Sequence, residues 1–134
     1  MNAQSGNPLR VLIVDDDAPT RRIVNIALSL EEGFEVVGEA GDGMAALEVA
    51  RRTQPNMILL DLEMPGMDGM QAIPALREIC PESKIAVLSS YPDPFTLSDA
   101  LNKGADTYLD KAMGLAQLPM MLLSLVNDQA EVDS

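Results

Sequence analysis

The chain is organised around the stretch Met57-Ile58-Leu59-Leu60-Asp61-Leu62-Glu63-Met64-Pro65-Gly66-Met67-Asp68-Gly69. Four consecutive apolar residues after the turn-forming Gln54-Pro55-Asn56 are typical of a short strand that is buried on both faces. Asp61 follows where this strand leaves the core. We therefore expect its carboxylate to be exposed at one end of a sheet, beside a loop held by Pro65 and Gly66. On this stretch alone, an aspartate that only begins a turn is an equally good interpretation.

Four other apolar segments predict strands, and three of them also end in polar side chains. The strand without such an end is Phe34–Gly38. The other three are Leu9–Val14 before Asp15-Asp16-Asp17, Ile85–Leu88 before Ser89-Ser90, and Thr107–Leu109 before Asp110-Lys111.

Helical periodicity fills the intervals between these strands. The apolar positions are Ile23, Ile26, Ala27 and Leu30 in the first helix, Met44, Leu47 and Ala50 in the second, Met70, Ile73, Leu76 and Cys80 in the third (66–80), Leu97, Ala100 and Leu101 in the fourth, and Leu118, Met121, Leu122 and Leu125 in the fifth (117–126). Pro74 lies inside the third helix, where it removes a hydrogen bond and predicts a kink or an irregular first turn.

Five strands that alternate with five helices indicate one α/β domain with a parallel sheet covered on both faces. Ligand sites in such sheets lie at the carboxyl ends of the strands. Those ends carry Asp15, Asp16 and Asp17 after the first strand, Asp61 after the third, Ser89 after the fourth and Lys111 after the fifth. Taken singly, each side chain also fits a turn, a cap or a solvated surface, but their joint placement favours a site.

The composition restricts the class of protein. A chain of 134 residues, of which 47% are hydrophobic, is long enough for one core and too short for two. No apolar run approaches the roughly 20 residues of a membrane span, so we expect a soluble, cytoplasmic protein without a membrane partner. The single cysteine predicts no internal disulfide, and the lack of histidine argues against zinc. A net charge of -12 argues against direct nucleic acid binding.

Carboxylates gathered at one edge of a sheet need a cation nearby, because like charges within about 4–6 Å disfavour each other's ionisation. Oxygen ligands that leave room for water and phosphate suit Mg²⁺ better than Ca²⁺. Lys111 supplies a positive charge and Ser89 a hydroxyl donor. Together these residues predict a phosphoryl-transfer site in which Asp61 is the nucleophile and forms an aspartyl phosphate.

Four motifs, in this order, resemble the receiver domain of two-component response regulators: Val11–Asp16, Asp61–Gly69, Val87–Ser89 and Gly104–Lys111. The resemblance covers about residues 9 to 127 and implies a flavodoxin-like fold with strand order 2-1-3-4-5. It implies that the phosphoryl group comes from a histidine kinase or a phosphotransfer protein. The domain would then be a regulatory phosphoacceptor rather than an enzyme, catalysing only its own phosphorylation and slow dephosphorylation. Its output would be a protein-interaction surface, with a phosphorylation-dependent homodimer as one form.

The resemblance also implies a role for individual residues of the site. These are the phosphoacceptor Asp61; the magnesium ligands Asp16, Asp61 and the backbone carbonyl of Glu63; Asp15, which acts through a water; the switch pair Ser89 and Tyr108; and the charge-neutralising Lys111. Asp17 is then an additional acid, which we expect to cap a helix.

The chain departs from the family pattern at Ala112, where the family most often has a proline in a cis peptide. The Lys111–Ala112 bond is then expected to be either trans or a costly cis one, and the sequence leaves the geometry of this loop open. This departure, together with the segment Gly104–Lys111, looks like the subfamily that precedes LuxR/NarL-type helix-turn-helix output domains. The predicted receiver spans 9–127, between a flexible arm at 1–8 and an acidic tail at 128–134, and is either a stand-alone domain or part of a longer regulator.

Three other interpretations fit the sequence less well. A haloacid-dehalogenase-like phosphatase would need an Asp-x-Asp-x-Thr motif after the first strand, but Pro19 stands at the threonine position and Thr20 comes one residue later. A degenerate receiver that only binds would be expected to lack one of Asp16, Asp61 or Lys111. A nucleotide-binding flavodoxin-like protein would need a Ser/Thr/Gly-rich phosphate loop where this chain has carboxylates.

Overall fold

Five parallel strands form the centre of the computed structural model, which describes residues 7–64, 69–90, 93–114 and 117–124. They are β1 Leu9–Val14, β2 Phe34–Ala40, β3 Met57–Asp61, β4 Lys84–Ser89 and β5 Thr107–Asp110. They pair in the order β2-β1-β3-β4-β5. The predicted α/β class, parallel sheet and strand order are confirmed, and four strands end one or two residues later than predicted.

Helices follow the strands as predicted. They are α1 Ala18–Ser29, α2 Gly43–Thr53, α3 Gly69–Ile79 and α4 Pro94–Lys103, then α5 at 118–124; a 3-10 turn, Lys111–Met113, follows β5. Parts of the predicted third and fifth helices, at 66–68 and 125–126, lie outside the described residues, as do most of the predicted arm and the whole acidic tail. Within the described ranges, no helix is long and apolar enough to cross a membrane.

The central strands are apolar on both sides, and alternate residues along them enter two separate cores. Leu12 and Ile58 pack on one side of the sheet with residues of α2, α3 and α4. Val11 and Met57 pack on the other side with residues of α1 and α5. Both faces are closed to water, so the polar side chains that follow the strands are gathered at the ends of the sheet.

Three aspartates begin helices as N-caps: Asp17 for α1, Asp42 for α2 and Asp93 for α4. Each carboxylate accepts a hydrogen bond, between 2.8 and 3.0 Å long, from the backbone N–H three residues later. The predicted caps Asp17 and Asp93 are therefore confirmed. Two of these caps directly follow the carboxyl ends of β1 and β2, so they fix the direction in which the chain leaves the sheet.

The apolar face predicted for α1 is wrong. Ile23, Ile26 and Leu30 are 52%, 53% and 78% exposed, whereas Val24 and Leu28 are buried against the sheet. Six of the eight residues from 23 to 30 are apolar, so helical periodicity fits two overlapping stripes, and the position of the sheet selects one of them. We call the exposed set, Ile23, Ile26 and Leu30, the α1 stripe.

Small side chains make the buried face of α2. Ala46 and Ala50 are fully buried, whereas Met44, which was predicted to face the core, is 64% exposed and Leu47 is only partly buried. Because α2 packs against α3 as well as against the sheet, alanines allow the closer approach. The small size of the alanine side chains, rather than their hydrophobicity, explains why this face of α2 packs against the core.

The third helix runs unbroken through Pro74, which cannot donate a hydrogen bond to the carbonyl of Met70. The ring of Pro74 lies on the exposed side of the helix. Ile73, Leu76 and Cys80 are buried as predicted, and Met70 packs partly buried against the same core. Residue 74 therefore gives no hydrogen bond to the carbonyl of Met70 in the first turn of α3, while the buried face of the helix stays intact.

Arg77 ties together the elements at the opposite end of the sheet from Asp61. Its guanidinium donates to the carbonyls of Pro81, Ser83 and Gly104 at 3.0, 2.7 and 2.8 Å, and lies 2.6 Å from a carboxylate oxygen of Asp106. These bonds join α3 to the loop before β4 and to the turn between α4 and β5.

We expect the Arg77→Met variant to lose about 2–3 kcal/mol of unfolding free energy, because the change keeps the aliphatic stem but leaves several carbonyls and one carboxylate without their donor. Urea denaturation followed by circular dichroism measures this loss. The matched control is Arg52→Met, an exposed position on α2, where we expect a change within about 0.5 kcal/mol. Equal losses in the two variants would contradict the proposed structural role of Arg77.

Candidate functional site

Side chains predicted for the site lie together at one edge of the sheet. Asp15 and Asp16 follow β1, Asp61 is the last residue of β3, Ser89 is the last residue of β4, and Lys111 comes directly after β5. The parallel strands run in the same direction and are adjacent, so their carboxyl ends meet at this edge. Residues 65–68 of the neighbouring loop lie outside the described residues.

Asp61 occupies the centre of this edge, and the expectation that its carboxylate is exposed is wrong. The residue is only 1% exposed. Its Oδ1 accepts a hydrogen bond from the backbone N–H of Glu63 at 3.0 Å and lies 3.1 Å from Nζ of Lys111. The strand end is covered by elements that are distant in the sequence, which strand periodicity does not reveal.

One of these elements is the start of α3. A Cβ atom at Gly69 would lie 2.2 Å from the carbonyl oxygen of Asp61, far closer than real side chains approach. Any larger residue would therefore have to displace the backbone of Asp61. The close approach of the Asp61 backbone therefore explains why residue 69 is a glycine.

The carboxylates of Asp15, Asp16 and Asp61 form a cluster in which one oxygen of each lies within 4.8 Å of the others. Asp16 is exposed, whereas Asp15 is 3% exposed. The Oδ1 atom of Asp15 accepts the backbone N–H of Asp17 at 2.9 Å. Its Oδ2 is buried 3.3 Å from Nζ of Lys111 and has no well-formed hydrogen bond among the described residues.

The two oppositely charged residues at the centre have perturbed acidities. Burial raises the pKa of Asp61 to about 6, and the charge of Asp15 adds to this effect, while the Glu63 N–H and Lys111 oppose it. Burial also disfavours the charged form of Lys111, but its hydrogen bond to Asp61 and the charges of Asp61 and Asp15 outweigh that, so the pKa of Lys111 is raised. The lysine therefore stays charged, while burial disfavours the ionised form of Asp61.

The loop that presents Lys111 takes the trans form, one of the two forms that the sequence had left open. No cis peptide bond occurs among the described residues, so the Lys111–Ala112 bond is trans. The N–H of Ala112 donates to the carboxylate of Asp110 at 2.8 Å and begins the 3-10 turn. A proline has no such N–H, so alanine contributes a hydrogen bond that positions the lysine.

Asp17 stands apart from the cluster. Its carboxylate accepts hydrogen bonds from the hydroxyl and the backbone N–H of Thr20, and these bonds lower the pKa of Asp17. The side chain is committed to capping α1, which agrees with the expectation from the sequence.

Glu63 reaches further into the site than the sequence indicated. The prediction gave it a role only through its backbone carbonyl, which stays a prediction. In the structure its carboxylate accepts a hydrogen bond from the buried hydroxyl of Ser89 at 2.6 Å, and its N–H binds Asp61. Its position two residues after Asp61 was the available signal.

Tyr108 lies beside Ser89. Its ring is half-buried against the core made by α2, α3 and α4. Its hydroxyl is buried and makes no hydrogen bond of ordinary geometry among the described residues. Burial raises the pKa of Tyr108, and the nearby Ser89 hydroxyl acts against this effect. The predicted switch residues are therefore neighbours.

Sequence reasoning missed Arg21, whose guanidinium donates to the backbone carbonyl of Asp15 at 2.6 Å. The only signal in the sequence was its place one turn into the helix that follows the acidic residues.

The donor set fits a magnesium ion. Mg²⁺ prefers oxygen ligands from one or two carboxylates and keeps room for water and phosphate, and here three carboxylates converge beside an exposed edge. Among the described residues, the buried Oδ2 of Asp15 accepts no well-formed hydrogen bond and is open to a cation, and the charge of Asp15 contributes to the raised pKa of Asp61.

Residues 11–123 match the family described as the response regulator receiver domain, and the chain belongs to this family. The nitrate/nitrite response regulator protein NarP of Escherichia coli strain K12 is 45% identical over 107 residues, which cover 78% of this chain and 48% of that protein. Protein-glutamate methylesterase/protein-glutamine glutaminase 5 of Myxococcus xanthus is 40% identical over 111 residues, which cover 82% of this chain and 32% of that protein. The chain thus spans less than half the length of these relatives.

Solved structures agree with this assignment. The signal receiver domain of NarL from Mycobacterium tuberculosis has a TM-score of 0.82 and 36% identity, with 90% of this chain and 97% of that one covered. A chain of the CheX-CheY-BeF3-Mg complex from Borrelia burgdorferi has a TM-score of 0.84 and 27% identity, with 94% and 95% covered. The predicted family and its resemblance to NarL-type receivers are confirmed.

The raised pKa of Asp61 predicts how stability depends on pH in the absence of metal. The unfolded chain releases this proton near its ordinary pKa of 3.8, whereas the folded protein holds it up to about 6. Ionisation of Asp61 therefore destabilises the fold progressively across this window, and the cost persists at neutral pH. A shift of two units corresponds to about 3 kcal/mol.

We accordingly expect the Asp61→Asn variant in EDTA to be more stable than the parent by up to about 3 kcal/mol at neutral pH, an advantage that disappears below about pH 4. Urea denaturation between these pH values measures the difference. Asp99→Asn, at an exposed site on α4, is the control and should show no comparable gain. An Asp61→Asn variant no more stable than the parent at neutral pH would contradict the burial cost.

Proposed function

We propose that this domain accepts a phosphoryl group on Asp61, with Mg²⁺ as its cofactor, and that phosphorylation changes a protein-interaction surface. The observation that carries the proposal is the buried Asp61 carboxylate, 3.1 Å from the Lys111 ammonium and clustered with two further carboxylates. A raised pKa makes the ionised Asp61 more basic than an exposed aspartate and hence a stronger nucleophile. Membership of the receiver family supports the same chemistry.

The Oδ2 atom of Asp61 is the oxygen that we assign to the attack, because the contacts with the Glu63 N–H and with Lys111 fall on Oδ1. A bond forms between Oδ2 and phosphorus while the bond from phosphorus to the leaving atom breaks, and that atom keeps the electron pair. The leaving atom is an imidazole nitrogen in a phosphohistidine, or an acyl oxygen in a small donor such as acetyl phosphate.

The surrounding residues and the cation would neutralise the negative charge of the transferred phosphoryl group. Mg²⁺, when bound, would neutralise negative charge on the phosphoryl oxygens. We assign its direct ligands to Asp16, Asp61 and the backbone carbonyl of Glu63, and an outer role through water to Asp15. The ammonium of Lys111 would exchange its contact with the Asp61 carboxylate for a contact with a phosphoryl oxygen.

The switch begins at Ser89. Its hydroxyl now donates to the carboxylate of Glu63, so binding a phosphoryl oxygen requires it to leave that partner. Because the Tyr108 hydroxyl is buried beside Ser89, this movement changes the surroundings of the ring on β5. The signal would thereby pass from the site to the surface around α4 and β5.

The output that we propose is a protein contact. A net charge of -12 argues against nucleic acid binding, which needs clustered basic side chains to contact phosphates. We propose a regulatory phosphoacceptor in the cytoplasm rather than an enzyme that acts on other molecules. A second copy of the chain is one candidate partner, and Phe95 on α4 and Met120 on α5, 86% and 78% exposed, are apolar residues open to it.

Phosphorylation itself is tested by intact mass. With acetyl phosphate and Mg²⁺, the protein is expected to gain the mass of one phosphate, and EDTA should prevent this gain. Asp61→Asn should gain nothing, while Asp99→Asn, the exposed control on α4, should behave like the parent. An equal gain in the Asp61→Asn variant would contradict the assignment of the phosphoacceptor.

The α1 stripe is the surface that we assign to the protein phosphodonor. It lies on the helix that begins directly after Asp15 and Asp16, so a protein seated there stands beside the site. The helix contains two arginines and no acidic residue in a chain of net charge -12. An apolar helical face of a histidine kinase or phosphotransfer protein, rimmed by acidic residues, fits this combination.

A negative charge introduced at the centre of the α1 stripe tests docking of the protein donor separately from phosphoryl transfer. Ile26→Glu is expected to slow phosphoryl transfer from a phosphohistidine protein by at least about tenfold, because it buries a charge in an apolar contact. The rate with acetyl phosphate should stay unchanged. Met44→Glu, at an exposed apolar position on α2, is the control. Equal slowing with both donors in Ile26→Glu would show damage to the site instead of lost docking.

A further inference from the structure

We propose that Arg21 is a positioning residue for the cation site: by holding the backbone carbonyl of Asp15, it sets the orientation of the loop that carries Asp15 and Asp16. The inference rests on the proposed magnesium-dependent function and adds a residue that neither the sequence motifs nor the family match assigns. Its evidence is the chain of contacts around the guanidinium.

The Arg21 guanidinium supplies a hydrogen-bond donor at the carboxyl end of β1. The N–H of Asp15 donates to the carbonyl of Ala40, the last residue of β2, at 3.0 Å. Because β2 ends at Ala40, the carbonyl of Asp15 lies beyond the last backbone hydrogen bond between β1 and β2. Nη1 of Arg21 donates to this carbonyl at 2.6 Å. A charge-assisted bond from α1 thus stands where a further strand residue would otherwise donate.

The guanidinium is itself held from a second side. Its Nε lies 3.1 Å from Oε1 of Glu39 on β2, and Oε2 of Glu39 accepts a hydrogen bond from the side-chain amide of Asn25 at 2.7 Å. The side chains of Arg21 and Glu39 are 22% and 36% exposed, so the pair is partly shielded from water. Glu39 of β2, which is itself held by Asn25 of α1, therefore fixes the guanidinium in one place.

The peptide group between Asp15 and Asp16 transmits the constraint on the guanidinium to the proposed metal ligands. The carbonyl of Asp15 and the N–H of Asp16 belong to the same planar peptide. Holding that carbonyl sets the plane from which the Asp16 side chain departs. The other end of the turn is held by the N–H of Asp17, which donates to Oδ1 of Asp15 at 2.9 Å. Arg21 therefore acts behind the ligands, as outer hydrogen-bond partners do in metal sites.

Positioning and simple electrostatics predict opposite results. Arg21 carries a positive charge next to a cation site, so on Coulombic grounds its removal would strengthen Mg²⁺ binding. If Arg21 positions the ligands, its removal weakens Mg²⁺ binding despite the lost repulsion. The sign of the change therefore identifies the role.

The experiment is a Mg²⁺ titration of folded protein, followed by amide NMR shifts or calorimetry. We expect Arg21→Gln to weaken Mg²⁺ binding by about tenfold or more. Arg22→Gln, an adjacent exposed position with the same charge change, should leave the affinity unchanged or slightly tighter. Arg21→Lys, which keeps the charge and one donor group, should lie between the parent and Arg21→Gln. Without metal, hydrogen exchange at the Asp17 amide should accelerate in Arg21→Gln and not in Arg22→Gln.

A second variant keeps the test decisive if Arg21→Gln does not fold. Glu39→Gln removes the brace of the guanidinium, and we expect it to weaken Mg²⁺ binding by more than Glu35→Gln, an exposed site on the same strand. Equal affinities in these two variants would overturn the inference in that case.

The outcomes separate the two proposals. A parent protein that binds no Mg²⁺ would overturn the proposed function and this inference together. A parent that binds Mg²⁺, with Arg21→Gln as tight or tighter, would overturn the role of Arg21 and leave the proposed function intact.

Discussion

The contact between the Lys111 ammonium and the carboxylates of Asp61 and Asp15 is the interaction on which the site depends. Burial works against the charge of both Asp61 and Lys111, and the fold holds them together nevertheless. One lysine does not balance three carboxylates. The site therefore carries more negative charge than its own residues neutralise, which is the condition that favours a bound cation.

The remaining structure keeps these groups in place. The two apolar cores grip alternate residues of the central strands, so the strand ends cannot slide without exposing buried side chains. Close packing of Gly69 on Asp61 places α3 against the site, and the turn after β5 sets Lys111 through the Asp110 carboxylate. On the side of β1, Arg21 binds the carbonyl of Asp15. Each of these contacts comes from a different segment of the chain.

The same contacts connect the site to the surface. The carboxylate of Glu63 binds the Ser89 hydroxyl, and Ser89 neighbours the half-buried ring of Tyr108 on the edge strand. A change of hydrogen-bond partner at Ser89 would therefore alter the surroundings of Tyr108 at the edge of the sheet. On the opposite side, α1 begins at the acidic residues and exposes the α1 stripe. The surface that we propose for the phosphodonor and the surface that we propose for output are thus different parts of one small domain.

The sequence by itself determined the order of strands and helices, the parallel sheet and the polar residues at the strand ends, because these follow from local runs and from the rules of βα connection. The burial of Asp61, the choice of Val24 rather than Ile23 for the core, and the entry of the Glu63 and Arg21 side chains into the site become visible only in the folded chain. These outcomes depend on which distant segments meet. Periodicity records the spacing of apolar residues along a helix or strand, but it does not record what packs against each face.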